Sequence, residues 1–94
     1  MSNSESLLIH ALAVHPDKPG IVRVRSTVRL GDAFPGVRVW FEGTDLVVRD
    51  LEIIGVKRSP RLSTITLSGD PSDLEHLVGG TYLYGRESEI TNPD

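Results

Sequence analysis

The residues best suited to contact a ligand are arginines spaced two residues apart. Arg23, Arg25 and Arg29 lie in the segment IVRVRSTVRL, where Arg23 and Arg25 alternate with valines. In an extended strand, residues i and i+2 stand on one face about 7 Å apart. A row of guanidinium groups at that spacing can follow a phosphate backbone. The alternative is that the row is the solvated outside of a β-sheet, balanced by acids on neighbouring strands such as Glu42, Asp50 and Glu52.

Further bases and the single tryptophan extend this candidate binding surface. Arg38 and Trp40 share one face of GVRVWFE (36–42), which we expect to lie beside the arginine strand. There Trp40 can stack a nucleic-acid base or anchor a protein partner. A bulge that turned Trp40 inward would instead make it a core residue. The full predicted surface comprises Arg23, Arg25, Arg29, Arg38, Trp40, Lys57, Arg58 and Arg61.

The remaining polar residues do not form a pattern typical of catalysis or metal binding. His10, His15 and His76 lack the spacing of zinc ligands, and on a regular strand His10 and His15 fall on opposite faces. No serine lies in a G-x-S-x-G turn. Asp50 and Glu52 share a strand face, but we expect them to pair with arginines. The sequence therefore predicts no catalytic residue, no metal site and no cofactor.

Composition limits the possible classes of protein further. The 94 residues are enough for one domain, and the absence of cysteine excludes disulfides, thiolate zinc sites and cysteine nucleophiles. The net charge is −3; residues 21–61 carry eight bases against five acids, whereas residues 62–85 carry three acids and no base. A field this small does not by itself imply a nucleic-acid partner. No apolar run reaches the length of a membrane span, and we expect a cytoplasmic protein.

The elements that would position these residues are short strands separated by turn signals. We predict strands at 6–15, 21–30, 36–42, 46–56, 62–69 and 81–85, with a short helical turn at 71–77. A helix is the alternative for 6–15, because leucine and alanine favour it. We also predict a β-bulge near Arg49 and Asp50, because Val48 and Leu51 cannot both face inward on a regular strand.

Strands at this spacing predict an all-β fold: a small six-stranded antiparallel β-barrel over residues 6–85. Closure into a barrel would remove the exposed edges of so small a sheet. We expect residues 1–5 to be a disordered tail and residues 86–94 to be a flexible acidic tail.

Three segments resemble one known domain, in the same order along the chain. They are IVRVRSTVRLGD (21–32), VVRDLEIIGV (47–56) and ITLSGDPSDLEHLVGGTYL (65–83). Their pattern is similar to the β-barrel second domain of the translational GTPases, the superfamily of elongation factor Tu. The resemblance implies a translation-factor-like barrel, and barrels of that superfamily contact tRNA, ribosomal RNA or partner domains. Because the sequence contains no P-loop, it does not imply a nucleotide-driven activity.

Together these features predict a non-catalytic binding or interaction module that engages a protein partner through the barrel surface. The alternative is an RNA- or ribosome-contacting barrel that uses the arginine-rich strand face. A small enzyme is the third and least favoured hypothesis. We expect neither a membrane nor a nucleotide as partner.

Overall fold

Alternating apolar and polar residues build the closed antiparallel barrel that the computed structural model shows for residues 6–86. Its elements are β1 (Ser6–Lys18), β2 (Ile21–Leu30), β3 (Arg38–Glu42), β4 (Val48–Arg58), β5 (Ser63–Ser68), α1 (Pro71–Leu74) and β6 (Tyr82–Arg86). The predicted six-stranded barrel with one short helix is confirmed. The predicted tails at residues 1–5 and 86–94 lie outside the described residues except for Arg86, which is the last residue of β6.

The strands do not follow one another around the barrel in chain order. Their order is β1-β2-β5-β4-β3-β6, and β6 closes the ring by pairing with β1. Two strands therefore separate β2 from β3 in either direction, so that these strands lie on opposite sides. The expectation that 36–42 would lie beside the arginine strand was wrong. The reason is that β2 forms its second ladder with β5, leaving β3 to pair with β4 and β6.

The first hairpin is longer than its turn chemistry suggested. The predicted strands 6–15 and 21–30 leave PDKPG (16–20) as the turn between them, but β1 continues to Lys18, and only Pro19 and Gly20 connect it to β2. Gly20 has a φ of 85°, which glycine adopts without strain. Because β6 pairs with β1 only as far as His10, this end of β1 is a two-stranded ribbon, where Pro16 is tolerated.

An irregularity in β1 changes which side chains face outward. The register with β2 shifts between Ala11 and Ala13, and the extra residue, Leu12, is exposed. His10 then lies opposite Thr27, and His15 lies opposite the exposed Arg23. Both histidines therefore lie on the outer surface, and the prediction that they could not share a face was wrong.

Strand β4 has no bulge near Arg49 and Asp50, where we predicted one. Pairing with β3 is regular there, with Arg49 opposite the buried Phe41 and Asp50 opposite Trp40. Val48 points outward, and Arg49 takes the inward position at the end of the barrel. The register shift in β4 occurs later, between Ile53 and Gly55.

The barrel interior is filled by apolar side chains. Strands β1 to β6 all contribute, and the fully buried members with the largest volumes are Phe41, Leu7, Ile9, Leu51, Ile53, Ile65, Leu67, Leu83, Val24 and Val39. Ser26 is the one buried polar residue among the described side chains, and its hydroxyl donates a hydrogen bond to the Ser63 carbonyl at 3.2 Å. This satisfies the group that burial would otherwise penalise.

Two loops close the ends of the barrel. At one end α1 and the turn after it bury Leu74 and Leu77, and Asp70 caps the helix by accepting the Ser72 N–H at 2.9 Å. The helix is shorter than the predicted 71–77. At the other end, the segment between β2 and β3 buries Ala33 and Val37.

Candidate functional site

Trp40 lies on the outside of the barrel. Its neighbours in β3, Val39 and Phe41, are completely buried, whereas Trp40 is half-buried and directly opposite Tyr84 of β6 and Asp50 of β4. Strand β3 is paired without a register shift, so no bulge turns the indole inward. Of the two alternatives that the sequence left open, the structure shows the outward one.

Apolar residues continue from Trp40 across the neighbouring strands. Tyr84 lies opposite Leu8 of β1, which in turn lies opposite Leu30 of β2. A second outward row contains His10 and Tyr82. We call Leu8, His10, Leu30, Trp40, Tyr82 and Tyr84 the apolar face. Tyr84 is 45% exposed and Leu30 is 54% exposed, so large apolar groups remain in water here.

Within the apolar face, His10 and Tyr82 form a stacked pair. Their ring centroids are 4.4 Å apart and their planes differ by 6°. Stacking fixes both rings and lowers the conformational entropy that they would lose on binding. Sequence reasoning did not assign these residues to the site. The signal was nonetheless present, because an inward Leu83 in TYLYG requires both tyrosines to face outward.

The turn between β3 and β4 exposes three consecutive apolar residues. Leu46 is 76% exposed, and Val47 and Val48 are also exposed. Leu46 has a φ of 66°, the left-handed region that is unfavourable for a residue with a large side chain. A strained leucine that buries little surface contributes nothing evident to folding, a combination found at functional sites.

The arginines of β2 lie on the other side of the barrel. Arg23 and Arg25 are exposed and lie opposite Thr66 and Thr64 of β5, and Thr64 lies opposite the exposed Lys57 of β4. We call Arg23, Arg25, Lys57, Thr64 and Thr66 the basic face. Because β2 and β3 are on opposite sides, Trp40 cannot stack a base held by this face. The acids expected to balance it do not lie directly opposite its members: Asp50 lies opposite Trp40, and Glu52 lies between Arg38 of β3 and Ser68 of β5.

The other residues of the predicted surface have separate environments. Arg38 lies opposite Glu52, with a closest charge separation of 4.0 Å. Arg58 donates to the Ala33 carbonyl at 3.0 Å, and its guanidinium stacks 5.5 Å from the Phe34 ring centroid. Arg29 and Arg61 are exposed, at the end of β2 and in the β4–β5 loop. The structure therefore divides the predicted surface and does not bring its eight members together.

Charge is distributed unevenly around the barrel. Residues 18–31 contain four bases and residues 53–69 contain three, and neither segment contains an acid. These segments supply β2, β5 and most of β4, which are consecutive in the ring. By contrast, residues 38–52 contain four acids and two bases, and residues 70–76 add three acids. A chain of small net charge thus has one positive side.

An ionic cluster joins the β3–β4 turn to α1. The Arg49 guanidinium donates to both carboxylate oxygens of Asp45 at 2.7 and 2.9 Å and lies 3.4 Å from Asp73. The hydrogen bonds from Arg49 hold the pKa of Asp45 well below its usual range, and the same pair raises the pKa of Arg49. A Cβ at Gly43 would lie 2.7 Å from the Arg49 guanidinium, so glycine makes room for the cluster.

Polar groups do not converge in the barrel interior. Within residues 6–86, no three His, Asp or Glu side chains come together as metal ligands, and every described buried side-chain N or O atom has a hydrogen-bond partner. A shallow groove of about 170 Å³ lies between the β1–β2 turn and α1, and its lining is mainly apolar: Pro16, Lys18, Pro19, Gly20, Val22, Pro71, Leu74 and Glu75. What the structure presents to ligands is its outer surface.

Comparison with known proteins adds no relative: no family model, no curated protein and no solved structure matches the chain. Among the helices in residues 6–86, none is both long and apolar enough to cross a membrane.

Proposed function

We propose that the barrel is a non-catalytic binding module whose apolar face engages a protein partner. The observation that carries this proposal is the outward row formed by Trp40, Tyr84, Leu8 and Leu30 across four consecutive strands. Tyrosine and tryptophan are enriched at the centres of protein interfaces, where they bury large areas with few rotatable bonds. The large apolar side chains of this row are partly exposed to water, and a protein partner would bury them.

The hairpin turn supports the same surface. Val48 points outward from β4, two residues before Asp50, which lies opposite Trp40. The exposed Leu46 lies in the turn of this hairpin, so a second exposed apolar segment is at the end of the two strands that carry Trp40 and Asp50. Positive φ at a large residue costs about 1 kcal/mol or more, and contact with a partner would account for retaining leucine there.

A protein partner fits this surface better than nucleic acid does. Acids lie beside the apolar face, with Asp50 opposite Trp40 and Glu42 two residues beyond Trp40 along β3. Carboxylates so close to the rings would repel a phosphate backbone. A partner that presents an apolar anchor with basic residues at its rim would complement both features.

The experiment is quantitative affinity capture from a nuclease-treated lysate with matched variants. Tyr84→Ala removes an exposed ring from the apolar face, and Phe34→Ala removes a comparably exposed ring, 46% exposed, from the β2–β3 loop. We expect Tyr84→Ala and Trp40→Ala to reduce capture of the same partner at least tenfold, with Phe34→Ala remaining like the wild type. Thermal unfolding of each variant verifies that it is folded.

The purified partner then allows a direct measurement. Because Trp40 is the only tryptophan, its emission reports on one site. Binding at the apolar face should remove water from the indole and shift its emission to the blue. A partner that binds equally to Tyr84→Ala and to the wild type, or leaves Trp40 emission unchanged, would contradict the proposal.

The resemblance to translational GTPase barrels suggests where the partner belongs. If the chain is a divergent relative of those domains, the apolar face would contact a component of the translation machinery. Cosedimentation with purified ribosomes that Tyr84→Ala abolishes and Phe34→Ala preserves would support this. A protein that remains in the supernatant, or sediments regardless of Tyr84, would contradict it.

A further inference from the structure

We infer that the basic face forms a second binding site, one that holds the phosphate backbone of a nucleic-acid strand without reading its bases. It is centred away from Trp40 and Tyr84, because the strand order puts β2 and β5 on the far side of the barrel from β3 and β6. The two faces come nearest on β2, where Leu30 of the apolar face lies five residues beyond Arg25. The inference rests on the composition of the basic face and on the charge of the segments that build it.

The side chains of the basic face suit a run of phosphates. Arg23 and Arg25 stand about 7 Å apart along β2, and Arg25 and Lys57 stand about 10 Å apart across β5, from the standard spacings of strands. Thr64 lies between Arg25 and Lys57. Its hydroxyl is a neutral donor, and arginine, lysine and threonine together are the side chains that contact phosphate oxygens.

Carboxylates of the described residues compete only weakly with a ligand for the charged groups of the basic face. Arg23 lies 4.0 Å from Asp17, the limit for an ion pair, and its side chain is 59% exposed. Among the described residues, neither Arg25 nor Lys57 forms an ion pair. The guanidinium and ammonium groups are therefore available to a phosphate, and binding would not first have to break a strong internal bond.

The chemistry favours nucleic acid over an acidic protein. The basic face has no aromatic or large apolar member, whereas protein interfaces are centred on such residues. None of its members is an aromatic ring on which a base can stack: Trp40, Tyr82 and Tyr84 lie on β3 and β6, and the ring beside it is the imidazole of His15, opposite Arg23. Contacts restricted to phosphates predict binding that is independent of base sequence and strongly dependent on salt.

Fluorescence anisotropy with labelled U20 RNA tests this, with A20 RNA and dT20 DNA as further probes. About three neutralised phosphates give a slope of log Kobs against log salt near −2, so raising salt from about 50 to about 200 mM should weaken binding about 20-fold. All three probes should bind within about threefold of one another, because phosphate spacing dominates. A preference above tenfold for U20 over A20 would overturn the backbone-only inference.

Matched charge reversals locate the site. Arg25→Glu and Arg38→Glu change the net charge equally, but Arg38 lies on β3, opposite Glu52. We expect Arg25→Glu to weaken U20 binding at least tenfold, and Arg38→Glu to change it less than threefold. Equal losses in both variants, binding that ignores salt, or equally tight binding of polyglutamate would each overturn the assignment. Circular dichroism melts verify that both variants are folded.

Discussion

Two outer faces of one barrel differ in chemistry although the interior beneath them is the same. Around β1, β6 and β3 the outward positions include two tyrosines, Leu8, His10 and Trp40, with Arg38 and Glu42 among them; around β2, β5 and the second half of β4 they include arginine, lysine and threonine, with Leu30 and Ile54 among them. Inward positions under both are leucine, isoleucine, valine and phenylalanine. The inward side chains form the buried core on both sides, and the two sides differ in the side chains that they expose to solvent.

The comparison also shows how closure decides which residues become neighbours. Arg25 and Arg38 are 13 residues apart in sequence, yet the ring places two strands between them in either direction. Trp40 and Tyr84 are 44 residues apart and directly opposite each other. Surface chemistry in a small barrel follows the order of strands and not the order of the chain.

The largest expected effect tests whether one buried core stabilises both sides of the barrel. Phe41→Ala and Ile65→Ala, in β3 and β5 respectively, should each destabilise the fold by about 2–5 kcal/mol, since both side chains are fully buried. Tyr84→Ala and Thr64→Ala, outward on the two faces, should each cost about 1 kcal/mol or less. Urea unfolding measures all four. An outward change as costly as Phe41→Ala would mean that its face is part of the core.

Two glycines, Gly79 before β6 and Gly55 in β4, differ in how closely neighbouring atoms approach them. A Cβ at Gly79 would lie 2.8 Å from the Leu12 carbonyl oxygen, whereas a Cβ at Gly55 would make ordinary contacts at 3.6 Å. Gly79→Ala should therefore destabilise by about 1–3 kcal/mol, and it should speed hydrogen exchange in the adjoining β6. Gly55→Ala should stay within about 0.5 kcal/mol of the wild type. Equal effects would show that the segment before β6 is not closely held against β1.

Acid should loosen the hairpin that borders the apolar face. The folded-state pKa of Asp45 is lowered by Arg49, so its stabilising contribution is complete above the unfolded pKa of about 3.9 and declines as pH falls toward the folded pKa. Asp45→Asn should therefore lower Tm at pH 7, and the difference from wild type should shrink steadily below about pH 4. A difference that is constant with pH would show that the Asp45 charge is not responsible.

The smallest effect concerns the strained turn residue. Leu46→Asn places a residue that tolerates positive φ at an exposed position, and we expect stabilisation by a few tenths to about 1 kcal/mol. Val47→Asn, at a neighbouring exposed position, is the control and should not stabilise. If Leu46→Asn also weakens capture of the protein partner, the turn belongs to the apolar face; unaffected capture would restrict the interface to the strands.

The sequence predicts the inward half of this structure well, for a physical reason. Alternation alone identifies Val22, Val24, Val39 and Leu67 as interior, because a one-residue slip would expose them all. Alternation did not predict the inward position of Arg49. An inward arginine is acceptable only at a barrel end with Asp45 and Asp73 beside it, and those contacts depend on the turn and helix that close that end.

The candidate faces were predictable only in part. The outward positions of Arg23, Arg25 and Trp40 follow from parity, but their neighbours follow from strand pairing, which alternation does not encode. The bulge at Leu12 likewise shifted His15 to the outside. Local patterns therefore predict which way a side chain points, and only the closed ring shows what lies next to it.

Nuclear Overhauser contacts of Trp40 in the isotope-labelled protein test most directly whether the apolar and basic faces lie on opposite sides. We predict cross-peaks between the Trp40 indole and the Tyr84 ring, which lie directly opposite on β3 and β6. We predict cross-peaks from the Arg25 side chain to Thr64 and none to Trp40. Contacts of Trp40 with Arg23 or Arg25, or an indole surrounded by methyl groups of the interior, would contradict the arrangement.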